Sequence, residues 1–270
     1  MKEIVIHSFE ELQEQIFRDC YDEKTMRYRN NYVYRGVVDK DYKLISKLNR
    51  VCSHNLHLEE AIMRSFRKYG YADVKDIGSF WQIAAMGQHY SLPTRLLDWT
   101  YSPLVAAHFA TEDYEGYDRD GVIYCFDLNE VQKQLPEELQ QELCTRETEV
   151  FTINMLDRHA KDYQQLQALS EKPFFLFYEP ASGSDRMANQ YALFAMCSDT
   201  RYTLQDLIDV PENESLYRII LPKEVKLEIR DKLDYINISE RLIYPGLDGI
   251  CRWITRRYAN LGPVYGKKKE

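Results

Sequence analysis

An arginine inside a β-rich segment is the first residue whose chemistry stands out. The segment Tyr32–Val38 carries Tyr34, Arg35 and Gly36 in succession. A guanidinium is a planar set of donors that fits a phosphate or a carboxylate in a bidentate manner. A glycine beside it lets a ligand approach the backbone closely. The pattern predicts an anion-binding position, and an arginine that joins strands by pairing with an internal aspartate is the alternative interpretation.

A second segment, Gln88–Ala110, mixes ionisable side chains with apolar ones. Its members include His89, Arg95 and Asp98, and burying such groups costs free energy unless each has a partner. We therefore expect a hydrogen-bonded network that joins Arg95, Asp98 and His89, serving either architecture or ligand binding. Because an imidazole has a pKa of about 6.5, His89 is also a candidate proton carrier.

Periodicity and capping patterns predict the elements that position these residues. Strands are predicted at residues 3–7, 32–38, within 92–99, and at 121–128, 174–178, 191–196 and 217–221. Helices are predicted at residues 57–70, 79–90, 104–111, 130–145, 223–234 and 246–258. Ser8 and Ser102 have the chemistry of helix N-caps, with Glu11 in the capping-box position after the first and Pro103 directly after the second. The pattern predicts an α+β fold with a mixed or antiparallel central sheet flanked by helices.

Composition and charge place the chain in a broad class. The 270 residues are 44% hydrophobic and 29% charged, which is typical of a globular protein. The net charge of −8 argues against broad binding to nucleic acid. The N-terminus lacks an apolar signal core, and no apolar run is long enough to cross a bilayer. Six cysteines without a Cys-x-x-Cys pair indicate reduced thiols, so we expect a cytoplasmic protein without a metal site and without a membrane partner.

The chain has no internal repeat, no low-complexity tract and no linker rich in proline, glycine or serine. We therefore expect a single domain over residues 1–270. Within it, the acidic residues of about 129–172 predict a helical insertion, and a helical segment is predicted at 223–258.

The order and wording of these motifs resemble the FRG domain family. The likeness runs through the segments Tyr34–Gly36, Tyr42–Arg50, Gln88–Ala110, Arg186–Phe194 and Tyr244–Asp248. Tyr34 stands in place of the phenylalanine that gives the family its name. The resemblance spans about residues 30–258 and implies that the chain is an FRG domain, but it implies no reaction by itself.

A more distant resemblance, to arginine-specific ADP-ribosyltransferases, implies a reaction. That class has, in order, an arginine on an early strand, a Ser-Thr-Ser-type strand that leads into a helix, and a carboxylate or glutamine on a later strand. The corresponding residues are Arg35, Thr100 and Gln190. The resemblance implies that Arg35 holds the phosphates of NAD and that Thr100 supports the nicotinamide ribose. It also implies that Gln190 bonds a ribose hydroxyl as the glycosidic bond breaks.

The last position of that motif is usually a glutamate, which leaves a second candidate for it. Glu147 and Glu149 form a Glu-x-Glu pair, although a solvent-exposed acidic face is the alternative interpretation of this segment. The other residues of the two motifs are expected to contact the nucleotide, namely Tyr34, Gly36, His89, Tyr90, Arg95, Asp98 and Trp99.

Three functions follow as hypotheses. The first is an ADP-ribosyltransferase-like enzyme that uses NAD for ADP-ribosyl transfer or NAD glycohydrolysis, with a protein or nucleic-acid acceptor; the resemblance implies a bacterial toxin or antiviral (antiphage) defence effector. The second is a non-catalytic module that binds a nucleotide or phosphate. The third is a protein-recognition module that docks through residues 129–172. The enzyme hypothesis requires Arg35, Thr100 and Gln190 to converge on one cleft.

Overall fold

The computed structural model describes residues 1–259 except 19, 24, 53–57, 114–115, 182 and 209–215. The described residues form ten strands: β1 (Lys2–Val5), β2 (Tyr21–Asp22), β3 (Arg27–Tyr28), β4 (Tyr32–Val37), β5 (Leu96–Thr100), β6 (Gly121–Asp127), β7 (Phe151–Thr152), β8 (Phe175–Glu179), β9 (Ala192–Cys197) and β10 (Leu216–Leu221).

The described residues also form fifteen helices: α1 (Phe9–Phe17), α2 (Lys47–Cys52), α3 (Leu58–Tyr69), α4 (Tyr71–Val74), α5 (Phe80–His89), α6 (Pro103–Thr111), α7 (Leu128–Gln132), α8 (Glu137–Arg146), α9 (Ile153–His159), α10 (Tyr163–Ala168), α11 (Asp185–Asn189), α12 (Leu204–Ile208), α13 (Lys223–Tyr235), α14 (Glu240–Ile243) and α15 (Leu247–Tyr258). Within the described ranges, none of them combines the length and the apolar character that crossing a bilayer requires.

Eight strands form one sheet in the order β1-β10-β6-β4-β5-β9-β8-β7, and β2 pairs with β3 separately. The outer pairs β1–β10 and β7–β8 are parallel, while the inner pairs are antiparallel. Helices pack against this sheet, for example α6 against β4 and β6. The predicted α+β class with a mixed sheet is confirmed.

Side-chain capping fixes two helix starts. The Ser8 hydroxyl accepts a hydrogen bond from the Glu11 amide at 3.1 Å, and the Glu11 carboxylate accepts one from the His7 amide at 2.7 Å. The Ser102 hydroxyl accepts from the Val105 amide at 3.3 Å at the start of α6. These bonds satisfy amide groups that the first turn of a helix leaves without partners. Both predicted N-caps are confirmed.

The centre of the sheet divides where β4 and β5 separate. Strand β4 pairs with β6 over six residue pairs, but it pairs with β5 only through Tyr34 and Thr100. A Cβ atom at Gly36 would lie 1.8 Å from the Ala106 carbonyl oxygen of α6. Gly36 therefore allows α6 to pack on β4.

One prediction of local structure was wrong. The helix predicted at 130–145 is divided into α7 and α8, and Pro136 stands at the start of α8. Between β8 and β9, helix α11 is capped by the Ser184 hydroxyl, which accepts from the Met187 amide. Gln190 consequently caps the end of α11 and does not belong to strand β9.

Candidate functional site

A cleft of about 530 Å³ opens at the point where β4 and β5 diverge. Residues 34–38 and 96–100 form two of its walls, and residues of α2, α5, α6 and α11 complete it, with Glu112 at the end of α6. Because a single residue pair joins the two strands, the chain beyond that pair faces a gap instead of a neighbouring strand.

Most of the residues predicted for the site line this cleft, although they come from separate parts of the chain. They are Tyr34, Arg35, Gly36, His89, Asp98, Trp99, Thr100 and Gln190. Arg95 and Tyr90 are not among the lining residues. Tyr90 is 72% exposed, and its ring contacts the edge of the His89 ring at 5.1 Å.

Arg35 bridges the gap between the diverging strands. Its Nη1 donates to the main-chain carbonyl of Asp98, and its Nε is buried without a hydrogen-bond partner. Burial lowers the pKa of Arg35; Asp98 opposes this shift and Arg50 adds to it. Within the described residues, no carboxylate oxygen lies within 4 Å of the guanidinium. An arginine held to a carbonyl keeps its charge uncompensated and available to an anion.

Asp98 presents its carboxylate to the cleft and is held by neutral groups. Its Oδ2 accepts from Gln88 Nε2 at 2.9 Å, and Gln88 Oε1 in turn accepts from the Thr94 hydroxyl at 2.6 Å. Thr94 is buried, so this chain of hydrogen bonds anchors an exposed carboxylate to the core.

Arg95 belongs to the protein interior. Its Nε donates to both carboxylate oxygens of Glu59 at 3.0 Å, its Nη1 donates to the Ser198 carbonyl at 2.8 Å, and its guanidinium lies 3.9 Å from the Tyr163 ring centroid. The predicted network of Arg95, Asp98 and His89 is therefore wrong. Glu59 of α3 satisfies Arg95, while Gln88 satisfies Asp98.

His89, the last residue of α5, lines the cleft together with Arg186 of α11. Burial lowers the pKa of His89, Arg186 lowers it further, and Asp98 opposes the shift. A neutral imidazole at this position offers one donor and one acceptor to a ligand.

Thr100 and Gln190 hold main-chain segments together beside the cleft. The Thr100 hydroxyl donates to the Gln190 carbonyl at 2.7 Å and accepts from the Ser102 amide at 3.0 Å. Gln190 Nε2 donates to the Ile243 carbonyl at 3.1 Å. These bonds join the end of β5, the end of α11 and helix α14.

Sequence reasoning missed three cationic residues of the cleft, Lys47, Arg50 and Arg186. Lys47 Nζ donates to the Ser91 carbonyl at 2.6 Å. With Arg35 they give four cationic side chains against two carboxylates, in a chain whose net charge is −8. The three-residue spacing of Lys47 and Arg50 places both on one side of α2, a pattern that could have revealed them.

Trp99 lines the cleft from the core, while Glu147 and Glu149 lie outside the cleft. Trp99 is buried, with Phe126 and Phe177 rings at 5.1 and 5.4 Å, so it contributes mainly to the core. Glu147 ends α8 in a left-handed conformation, and neither it nor Glu149 lines the cleft.

The fold and site define an α+β protein with an electropositive cleft at the divergence of two central strands. Residues 30–119, one third of the chain, match the family model of the FRG domain. The match includes Arg35, Asp98 and Thr100 and ends before Arg186 and Gln190. No curated protein and no solved structure matches the chain.

Proposed function

We propose that the cleft binds NAD and that the protein acts on it as an ADP-ribosyltransferase-like enzyme, by ADP-ribosyl transfer or by NAD glycohydrolysis. The observation that carries this proposal is the shared location of Arg35, Thr100 and Gln190. Arg35 lies on β4, Thr100 ends β5, and Gln190 lies two residues before β9. These three strands are neighbours in the sheet. The volume of about 530 Å³ lies within the ~300–1,000 Å³ of typical small-molecule sites.

The charges at one end of the cleft favour a ligand with phosphate groups. Arg35 has an unpartnered Nε, and the positive charge of Arg50 lies close enough to lower its pKa. Lys47 lines the same cleft. Cations that lack carboxylate partners are stabilised when a pyrophosphate supplies the opposite charge. The phosphates of NAD are therefore assigned to this end.

The roles of Thr100 and Gln190 follow from their hydrogen bonds. The Thr100 hydroxyl fixes the end of β5 against α11, which sets the shape of the cleft beside the nicotinamide ribose. The Nε2 atom of Gln190 is bonded to Ile243, and its Oε1 is the atom assigned to accept a ribose hydroxyl. Both residues thus orient the substrate. The positive charge that develops on the ribose requires a carboxylate for its stabilisation.

A non-catalytic nucleotide- or phosphate-binding module is the second candidate. One observation favours it: the polar groups of Thr100 and Gln190 already bond to the main chain, as structural residues do. Such a module needs Arg35 and the cleft but makes no use of the other two residues in a reaction.

The test is release of nicotinamide from NAD by the purified protein, with and without bacterial cell extract as a source of acceptors. The proposal expects release by the wild type, and loss of release in Arg35→Ala with the fold retained by circular dichroism. Arg146→Ala removes an arginine from the surface of α8 and serves as the matched control.

The outcomes separate the candidates. NAD that binds without nicotinamide release in any condition supports the binding module and overturns the enzyme. With radiolabelled NAD, a labelled product that protease degrades indicates a protein acceptor, and a labelled product that nuclease degrades indicates a nucleic-acid acceptor. Loss of cellular NAD when the protein is expressed in bacteria, absent in Arg35→Ala, supports a role as a toxin or antiphage effector.

A further inference from the structure

The cleft contains two carboxylates, Asp98 and Glu112, and they differ in how they are held. Glu112 accepts from the Tyr244 hydroxyl at 2.7 Å and lies 3.5 Å from His108 Nε2. Among the described residues, the Asp98 carboxylate accepts only from the neutral Gln88 amide, at one of its oxygens. In the part of the chain that the structure describes, no lysine or arginine nitrogen lies within 4 Å of the Asp98 carboxylate.

The bond between Arg35 and the main chain of Asp98 gives this carboxylate a defined place relative to a dinucleotide. Its main-chain carbonyl binds Arg35, which the proposed function assigns to the phosphates. The Asp98 side chain lines the same cleft as Arg35. A ribose attached to phosphates at Arg35 therefore lies within reach of the Asp98 carboxylate.

We propose that Asp98 is the catalytic carboxylate of the cleft, and that it stabilises the positive charge that develops at C1′ of the nicotinamide ribose. The proposal rests on the proposed NAD reaction and supplies the anion that the neutral Gln190 lacks. A carboxylate without a cationic partner keeps its negative charge for the substrate, whereas an ion-paired one does not.

The reaction balances with water or an acceptor as the only co-reactant. The bond between C1′ and the nicotinamide nitrogen breaks, and both of its electrons leave with nicotinamide, which becomes neutral. The oxygen of water, or a nucleophile of the acceptor, forms the new bond to C1′ and releases one proton to solvent. Asp98 faces the cationic centre throughout and is unchanged at the end.

Gln88 and Thr94 are positioning residues for Asp98. The Thr94 hydroxyl donates to Gln88 Oε1, which directs the amide Nε2 toward Asp98 Oδ2 and leaves Oδ1 without a hydrogen-bond donor among the described residues. A neutral donor fixes the direction of the carboxylate without cancelling its charge. Gln88→Leu is expected to lower kcat by about tenfold and leave KM within threefold, because it affects orientation in the transition state.

The experiment measures NAD affinity and nicotinamide release for the wild type, Asp98→Asn, Asp98→Ala and the double variant Glu147→Gln/Glu149→Gln. We expect Asp98→Asn to bind NAD with an affinity within about threefold of the wild type. We expect it to release nicotinamide at least ~100-fold more slowly than the wild type. Formate is expected to restore part of the activity of Asp98→Ala, a rescue that a purely structural role would not produce. The double variant removes the two carboxylates of the Glu147–Glu149 pair, which lie outside the cleft, and is expected to keep wild-type activity.

Each outcome decides a claim. A wild type that releases no nicotinamide overturns the proposed reaction, and with it the role of Asp98. A wild type that releases nicotinamide, with Asp98→Asn within threefold of it, overturns the role of Asp98 alone and leaves the enzyme standing. Loss of activity in the double variant, with Asp98→Asn active, assigns the carboxylate to the Glu147–Glu149 pair.

Discussion

Neutralising Glu59 should destabilise the fold strongly, because its partner Arg95 would become an unpaired buried charge. Both side chains are buried, and Glu59 accepts from the Arg95 Nε through both of its oxygens. Breaking a buried pair by altering one partner costs about 3–5 kcal/mol. Arg95 would retain two carbonyl acceptors and the Tyr163 ring, and glutamine keeps the shape of glutamate. We therefore expect Glu59→Gln to lower the free energy of unfolding by about 3 kcal/mol.

Equilibrium unfolding in urea measures this change. With a slope of about 3 kcal/mol per molar, the midpoint should fall by about 1 M while the slope stays constant. Glu60→Gln, at an exposed position of the same helix, is the control and should change stability by less than about 0.5 kcal/mol. NAD affinity should be unchanged in the folded Glu59→Gln protein, since Arg95 does not line the cleft. A stability loss below about 1 kcal/mol, or a stable variant that no longer binds NAD, would refute the structural role of this pair.

Three further predictions concern packing, pH and salt. Gly36→Ala should destabilise the protein by more than about 4 kcal/mol, because its Cβ would collide with the Ala106 carbonyl. The control Gly78→Ala meets nothing within 4 Å and should change the stability by less than about 1 kcal/mol. Thermal unfolding of both variants measures this difference, and equal melting temperatures would contradict it. Burial lowers the pKa of His108, and Arg230 lowers it further. The unfolded chain therefore binds a proton at this histidine more readily than the folded one. The free energy of unfolding should consequently fall as pH decreases through about 6.5. Urea midpoints from pH 8 to pH 5 measure that fall, and a His108→Gln protein with the same pH slope would rule out His108 as its source. NAD affinity should weaken at least about fivefold between 0.05 and 0.5 M NaCl, because cations of the cleft bind the phosphates and salt screens them; an affinity independent of salt would indicate a ligand held by apolar contacts.

Local patterns of the sequence predicted local structure well. The Ser8 and Ser102 caps depend on side chains within three residues of the amide they satisfy, so both could be recognised without knowledge of the fold. The division of the predicted helix at Pro136 also has a local cause, because proline is tolerated at a helix start and disfavoured within one.

The partners of ionisable residues could not be predicted in the same way. Arg95 lies three residues from Asp98, which made that pair the natural expectation, but its true partner Glu59 lies 36 residues away on α3. Which acid reaches a buried arginine depends on how α3 packs, and no local pattern encodes that packing.

The shape of the cleft is also non-local. The motif order placed Arg35, Thr100 and Gln190 in one site, and the structure brings them together. The opening itself arises because β4 and β5 share a single residue pair, which depends on the register of β4 with β6 and of β5 with β9. The cations on α2 and α11 join the site only through this tertiary arrangement.

The central claim is that an anionic dinucleotide binds at the divergence of β4 and β5 through Arg35. Isothermal titration of NAD into the wild type, Arg35→Ala and Arg146→Ala tests it most directly. We predict one saturable site in the wild type and in Arg146→Ala, with affinity ~10–100-fold weaker in Arg35→Ala, as expected for loss of one charged hydrogen bond. Equal affinity in all three proteins, or no binding to the folded wild type, would contradict the claim.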